Sequence, residues 1–173
     1  VPDGNHVRVI AEQLGSDAPA LQRGPVRLET GEIVGEHDGF ARFTIGQRKG
    51  LPGGFAAPMF VVAIQPDERA VVIGPRESLL GRGLEARELN WLYERPSVGD
   101  QVRVQVRNRA RPSPATVVAI DDTRVELALD EPIQAISPGQ SLVLYDGPVV
   151  LGGGVIERGM REKPGRRLPI LAA

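Results

Sequence analysis

The chain has 173 residues and no cysteine, which removes disulfides, thiolate metal sites and a thiol nucleophile together. Its 21 glycines and 15 prolines, about a fifth of the residues, are too much punctuation for a helical bundle. With 41% hydrophobic and 25% charged residues, the composition is that of a folded chain of one domain or two small ones. One Trp, two Tyr and four Phe leave few stacking platforms for single-stranded bases. No apolar run reaches membrane-spanning length, and a start at Val1 without Met or basic leader predicts a piece of a cytoplasmic protein.

In chain order, Val7, Ile10, Ala11 and Leu14 fall at helical spacing behind Asp3 or Asn5 as N-cap, with Gly15 to end it, so one short helix is predicted over 5–14. After Pro25 the pattern turns to short β-runs. Val26 to Leu28 and Ile33 to Val34 flank Glu29-Thr30-Gly31-Glu32, a hairpin; Met59 to Ile64 and Ala70 to Ile73 flank Gln65-Pro66-Asp67-Glu68, a second. Leu84 to Leu92 reads as a further strand. Beyond Pro96-Ser97-Val98-Gly99-Asp100 come Gln101 to Arg107, Ala115 to Ile120, Arg124 to Leu129, Leu142 to Tyr145 and Val149 to Ile156. Strands at this interval predict a small antiparallel barrel or sandwich. The predicted fold is mainly β: a linker remnant over 1–20, a small β module over 21–83 and a β-barrel over 84–156. A basic, loose tail over 157–173 completes it.

Net charge is −1 but unevenly placed. Residues 101–120 carry Arg103, Arg107, Arg109 and Arg111 without an acid. Residues 157–167 carry Arg158, Arg161, Lys163, Arg166 and Arg167 against Glu157 and Glu162. An otherwise acidic body with two basic segments suits contact with a polyanion; chance clustering on a solvated face is the plain alternative. Within 101–111, Val102, Val104 and Val106 share one strand parity and Arg103, Gln105, Arg107, Arg109 and Arg111 the other. A regular strand would bury the valines and present a cationic stripe whose alternate side chains, roughly 6.8 Å apart, match the step of RNA phosphates. The other reading is a charged edge strand that resists aggregation.

Few residues suggest catalysis. His37 lies in Gly35-Glu36-His37-Asp38-Gly39, where extended backbone sends Glu36 and Asp38 one way and His37 the other; a structural turn histidine is favoured over a general base. No nucleophile elbow or P-loop is present, and two histidines without cysteine make no metal cluster. Gly46, Gln47 and Arg48, in Thr44-Ile45-Gly46-Gln47-Arg48-Lys49-Gly50-Leu51, could approach a phosphate or a partner surface, or form only a tight turn.

That segment, with Gly35 to Gly39, resembles the tRNA-specific 2-thiouridylases (the MnmA family). The resemblance continues through Asn90-Trp91-Leu92, Val106-Arg107-Asn108-Arg109, Ala135-Ile136-Ser137-Pro138-Gly139-Gln140, Leu144-Tyr145-Asp146-Gly147 and Leu151-Gly152-Gly153-Gly154-Val155-Ile156. It implies a sulfurtransferase in which an N-terminal ATP-pyrophosphatase domain, using ATP with Mg, adenylates C2 of the wobble uridine (U34). A donor protein supplies persulfide sulfur through one cysteine, and a second cysteine resolves the intermediate. The family's Ser-Gly-Gly-Val-Asp-Ser loop, catalytic Asp and both cysteines are not in this sequence. The resemblance therefore implies the central and C-terminal domains, without a catalytic residue or cofactor of their own and inactive alone, the latter domain an elongation-factor-like barrel. It marks Arg107, Asn108 (where the family usually has Tyr) and Gln140 as tRNA-contacting, and gives Gly46, Gln47 and Arg48 a domain-docking or tRNA-proximal place. The rival readings are a stand-alone β-barrel module binding RNA or protein and a translation-factor-like scaffold; the latter is weakened by the lack of a GTPase signature.

Overall fold

The computed structural model describes residues 17–162 continuously, and residues 9, 12, 13, 15 and 164 beside them. Of the helix predicted over 5–14, Val9, Glu12 and Gln13 are described and are helical; its other positions, and the tail beyond Glu162 except for Pro164, lie outside the described residues. The chain divides into two units, Val1–Leu79 and Leu80–Ala173.

In the first unit, β1 (Gly24–Leu28) and β2 (Ile33–His37) form one antiparallel hairpin. β3 (Phe60–Gln65) and β4 (Ala70–Gly74) form another. The turns sit where Gly31 and Pro66 predict them. The hairpins join through a parallel β1–β4 pair into a sheet of order β2-β1-β4-β3. Val26, Val61, Val71 and Ile73 are its buried centre, with Phe40, Phe43 and Phe55 packed on it.

The second unit is a closed barrel of order β10-β5-β8-β7-β6-β9, antiparallel at every seam. Its strands are β5 (Leu80–Trp91), β6 (Gln101–Gln105), β7 (Ser113–Ile120), β8 (Arg124–Gln134), β9 (Ser141–Asp146) and β10 (Val149–Met160). Closure leaves no unpaired strand edge. Alternating Leu84, Ala86, Val102, Val104, Val117, Val125, Leu127, Leu142 and Leu144 fill the interior. Gly152-Gly153-Gly154 lies inside β10. A side chain on Gly154 would stand 2.6 Å from the Arg87 carbonyl oxygen, so this strand must be bare where β5 passes.

Three boundaries differ from the sequence reading. The barrel's first strand begins at Leu80, because Gly81 and Gly83, placed at the end of the small module, belong to β5; a Cβ on Gly81 would meet Ile136 Cδ1 at 2.5 Å. At the other end, β10 runs through Met160 instead of yielding to a loose tail at 157. Arg158 pairs with Glu85 across the ladder, and its Nε donates to Glu85 Oε2 at 2.8 Å. Arg124 Nη1 holds the other oxygen at 3.1 Å, so part of the second basic segment is consumed in clamping three strands. Last, Gly35-Glu36-His37 forms the end of β2 and not a turn.

The β7–β8 turn is held by Asp121, whose Oδ1 accepts from Thr123 N (2.7 Å), Thr123 Oγ1 (2.8 Å) and Arg124 N (2.9 Å). These bonds, the Thr123 backbone N–H first, hold the Asp121 carboxyl below its ordinary value. A lowered folded value means its stabilisation is complete above the ordinary aspartate range and lost as pH falls through the lowered one. Asp121→Ala is therefore expected to destabilise the protein at neutral pH. Denaturant titration should show its gap from the parent narrowing below about pH 4.

Candidate nucleic-acid interface

Strand direction sorts the barrel's connections onto two ends. One end gathers 106–112 (between β6 and β7) and 135–140 (between β8 and β9); these carry Arg107, Arg109 and Arg111 and no acid. The other gathers 92–100, 121–123 and the 147–148 turn, with Glu94, Asp100, Asp121 and Asp122 against Arg95 alone. The two loops at the first end are thus cationic and the connections at the other mainly acidic.

The arginine stripe is not a strand. β6 pairs only through Gln105, and although Val106 is still buried, the chain then turns. Ala110 N donates to Arg107 O at 3.2 Å, and Arg109 takes a left-handed backbone (φ 63°), which ends strand parity. Gln105 pins this turn from below: its Nε2 donates to Ala110 O (2.9 Å) while Tyr145 OH donates to its Oε1 (2.8 Å). Arg103 remains on β6 and donates from Nη2 to Pro112 O at 2.8 Å. The arginines thus crown a loop instead of lining a face.

The second loop is tied to the first. Arg107 Nη2 donates to Ala135 O at 2.7 Å; Ala135 has a positive φ (55°), and its carbonyl also accepts from Ser137 Oγ at 3.3 Å. Gly139 N to Ile156 O and Ile156 N to Gln140 O, both 2.8 Å, fasten the loop to β10. Arg107, Asn108 and Gln140 therefore stand on two connected loops. Asn108, Arg109 and Arg111 are exposed. Gln140 is half-buried, and its Oε1 is shielded from solvent with no hydrogen-bond partner among the described residues. Arg109 and Arg111 have no side-chain partner among the described residues, whereas Arg103 and Arg107 each commit one N–H to a carbonyl. The Ala135 carbonyl and the Gln105–Tyr145 pair escaped sequence reading, since a left-handed alanine leaves no mark in the sequence.

Gly46, Gln47 and Arg48 belong to the first unit. Gln47 is a staple: its Oε1 accepts from Thr44 N (3.1 Å), its Nε2 donates to Lys49 O (2.9 Å), and its backbone carbonyl accepts from Val61 N (2.9 Å). Arg48 and Lys49 are left exposed by it. His37 is buried; its Nδ1 accepts from Gly39 N (3.0 Å), so the proton is assigned to Nε2, which faces Arg69 O at 2.9 Å. With both nitrogens engaged by backbone, it is a structural histidine. No group of metal-ligating residues occurs among the described residues, and no helix among them is long and apolar enough to cross a membrane.

Two family models match these same units. Residues 13–75 match the tRNA methyl transferase PRC-barrel domain, and residues 81–156 the aminomethyltransferase β-barrel domain. The pair defines a β-sheet module followed by a barrel of a kind found in RNA-modifying proteins. Relatives named tRNA-specific 2-thiouridylase MnmA cover nearly the whole chain. That of Geotalea uraniireducens is 36% identical over 163 residues, 94% of this chain and 43% of its own length. The Nostoc punctiforme protein is 41% identical over 140 residues (80% and 40%), and the Rhodopirellula baltica protein 46% over 137 (77% and 34%). The chain belongs to the tRNA-specific 2-thiouridylase family, as a central and C-terminal part. It spans less than half the length of these relatives.

Proposed function

We propose that this chain is the tRNA-binding portion of a cytoplasmic tRNA-uridine 2-sulfurtransferase, and that the arginine-bearing end of the barrel meets the tRNA backbone. The observation that carries this reading is the gathering of Arg107, Arg109 and Arg111 on connected, acid-free loops, in a chain whose relatives are named for tRNA thiolation. In the full reaction, C2 of the wobble uridine (U34) is activated with ATP and receives sulfur from a persulfide donor protein. Neither step belongs to these residues. The chain holds no cysteine, and its triple glycine lies within a strand instead of opening a helix onto phosphates. Its part is to hold and orient the substrate for a nucleotide domain outside the matched region; alone it forms no 2-thiouridine.

The test is a salt titration of binding to unmodified tRNA. Phosphate contacts by three arginines give a log–log slope of roughly −2 to −3. A slope near zero would return the loops to a solvated surface.

A further inference from the structure

The end of the barrel opposite the arginines carries an apolar face that the tRNA reading does not use. Leu92 is 69% exposed, Tyr93 63%, Val149 42% and Val150 39%. Leu92 N and Tyr93 N both donate to Leu151 O (2.9 and 3.1 Å), which seats their backbone beside the end of the β9–β10 hairpin that carries Val149 and Val150. Leu92 and Val150 wall a groove of about 320 Å³ whose floor is the side-chain-free run Gly152-Gly153-Gly154. Tyr93 borders a second hollow with Glu94, Asp100 and Asp146. Glu94 and Asp146 have no ionic or hydrogen-bonding partner among the described residues, while Arg95 in that hollow already holds Asp122 at 2.6 Å.

Large apolar side chains exposed together around a groove mark an interaction site. The acidic rim selects the occupant. It repels RNA, and two copies of this face would set like charges against each other. The complement is a protein surface with an apolar anchor flanked by lysine or arginine. In the relatives more than half of the polypeptide lies outside the region matched here, and a surface on the same chain meets this face at high effective concentration. We propose that Leu92, Tyr93, Val149 and Val150 are the docking face for that remaining part of the 2-thiouridylase polypeptide, with its basic residues set against Glu94 and Asp146.

The experiment compares hydrogen exchange in this chain alone with that in the full-length Geotalea uraniireducens relative carrying this chain in place of its matched segment. Docking slows exchange at residues 92–95 and 147–150 at least tenfold in the full-length protein and leaves 106–112 unchanged. Leu92→Lys with Val150→Lys restores the rates of the isolated chain. Equal rates in both proteins overturn the docking. So does slowing that appears only on adding tRNA, or slowing in the isolated chain as its concentration rises; these give the face to RNA or to a second copy. If β8 exchanges freely, showing an unfolded chimera, the same comparison is made between the unaltered relative and its own matched segment, with the same two outcomes. The tRNA reading is judged separately, by the salt slope, so either can fail without the other.

Discussion

Replacing Arg109 and Arg111 together by alanine is expected to weaken tRNA binding about 100-fold while leaving the fold intact. Both residues are exposed and have no side-chain partner among the described residues, so their removal breaks no bond seen there. A charge-assisted contact contributes roughly 1.5–3 kcal/mol, and two at the lower figure give about two powers of ten. The salt slope should flatten by up to roughly 1.8, since each duplex phosphate contact adds about 0.9. Arg107→Ala should also weaken binding, but through two routes: one charge is lost, and the Ala135 carbonyl loses the guanidinium that ties the loops. Gln140→Ala removes a neutral amide and should cost about 1 kcal/mol with the slope nearly unchanged. Parent-like affinity and slope in the Arg109/Arg111 variant, with unchanged circular dichroism, would refute the assignment of this end to RNA.

Leu127→Ala should cost about 2–5 kcal/mol of stability. Leu127 is fully buried on β8, paired with Leu84 of β5 on one side and Val117 of β7 on the other. A closed barrel has little freedom to collapse around the gap, because each strand is fixed by two neighbours. At roughly 4 °C or more per kcal/mol for a unit this size, the melting temperature should drop by about 8 °C or more. Leu92→Ala, on the exposed face, should stay within about 0.5 kcal/mol of the parent. Equal melting shifts for the two would mean that the alternation of buried and exposed residues is not what holds the barrel.

Much of the fold was legible because alternation and turn chemistry agree. Gly31 and Pro66 announce their hairpins, and the valines of 102–106 announce the barrel interior. The failures have one cause: parity assumes that a strand continues. Nothing in Val106-Arg107-Asn108-Arg109 signals that Arg109 turns left-handed, since arginine pays a strain there that only the pinned loop repays. Gly81 and Gly83 misled in the opposite sense. They read as a boundary between two modules, yet they are bare because Ile136 and β8 crowd that edge of the barrel. The structure thus puts Arg107, Arg109 and Arg111 on a loop, not on the strand face that parity predicts. The contacts that assemble them, Arg107 to Ala135 and Gln105 to Tyr145, join positions 28 and 40 apart in the chain, beyond the reach of any local pattern.

The opposed charge of the two barrel ends has a kinetic side. Cationic loops at one pole and acidic loops at the other contribute a dipole along the barrel axis, and a polyanion exerts a torque on such a dipole. At low ionic strength, where the Debye length approaches 30 Å, that torque acts before contact, turning the arginine pole forward during diffusional approach. At physiological salt the field reaches only about 8 Å, and orientation gives way to rejection, with encounters at the carboxylate pole pushed apart on touching. The association rate constant should therefore fall with salt more steeply than the count of bound arginines alone would require.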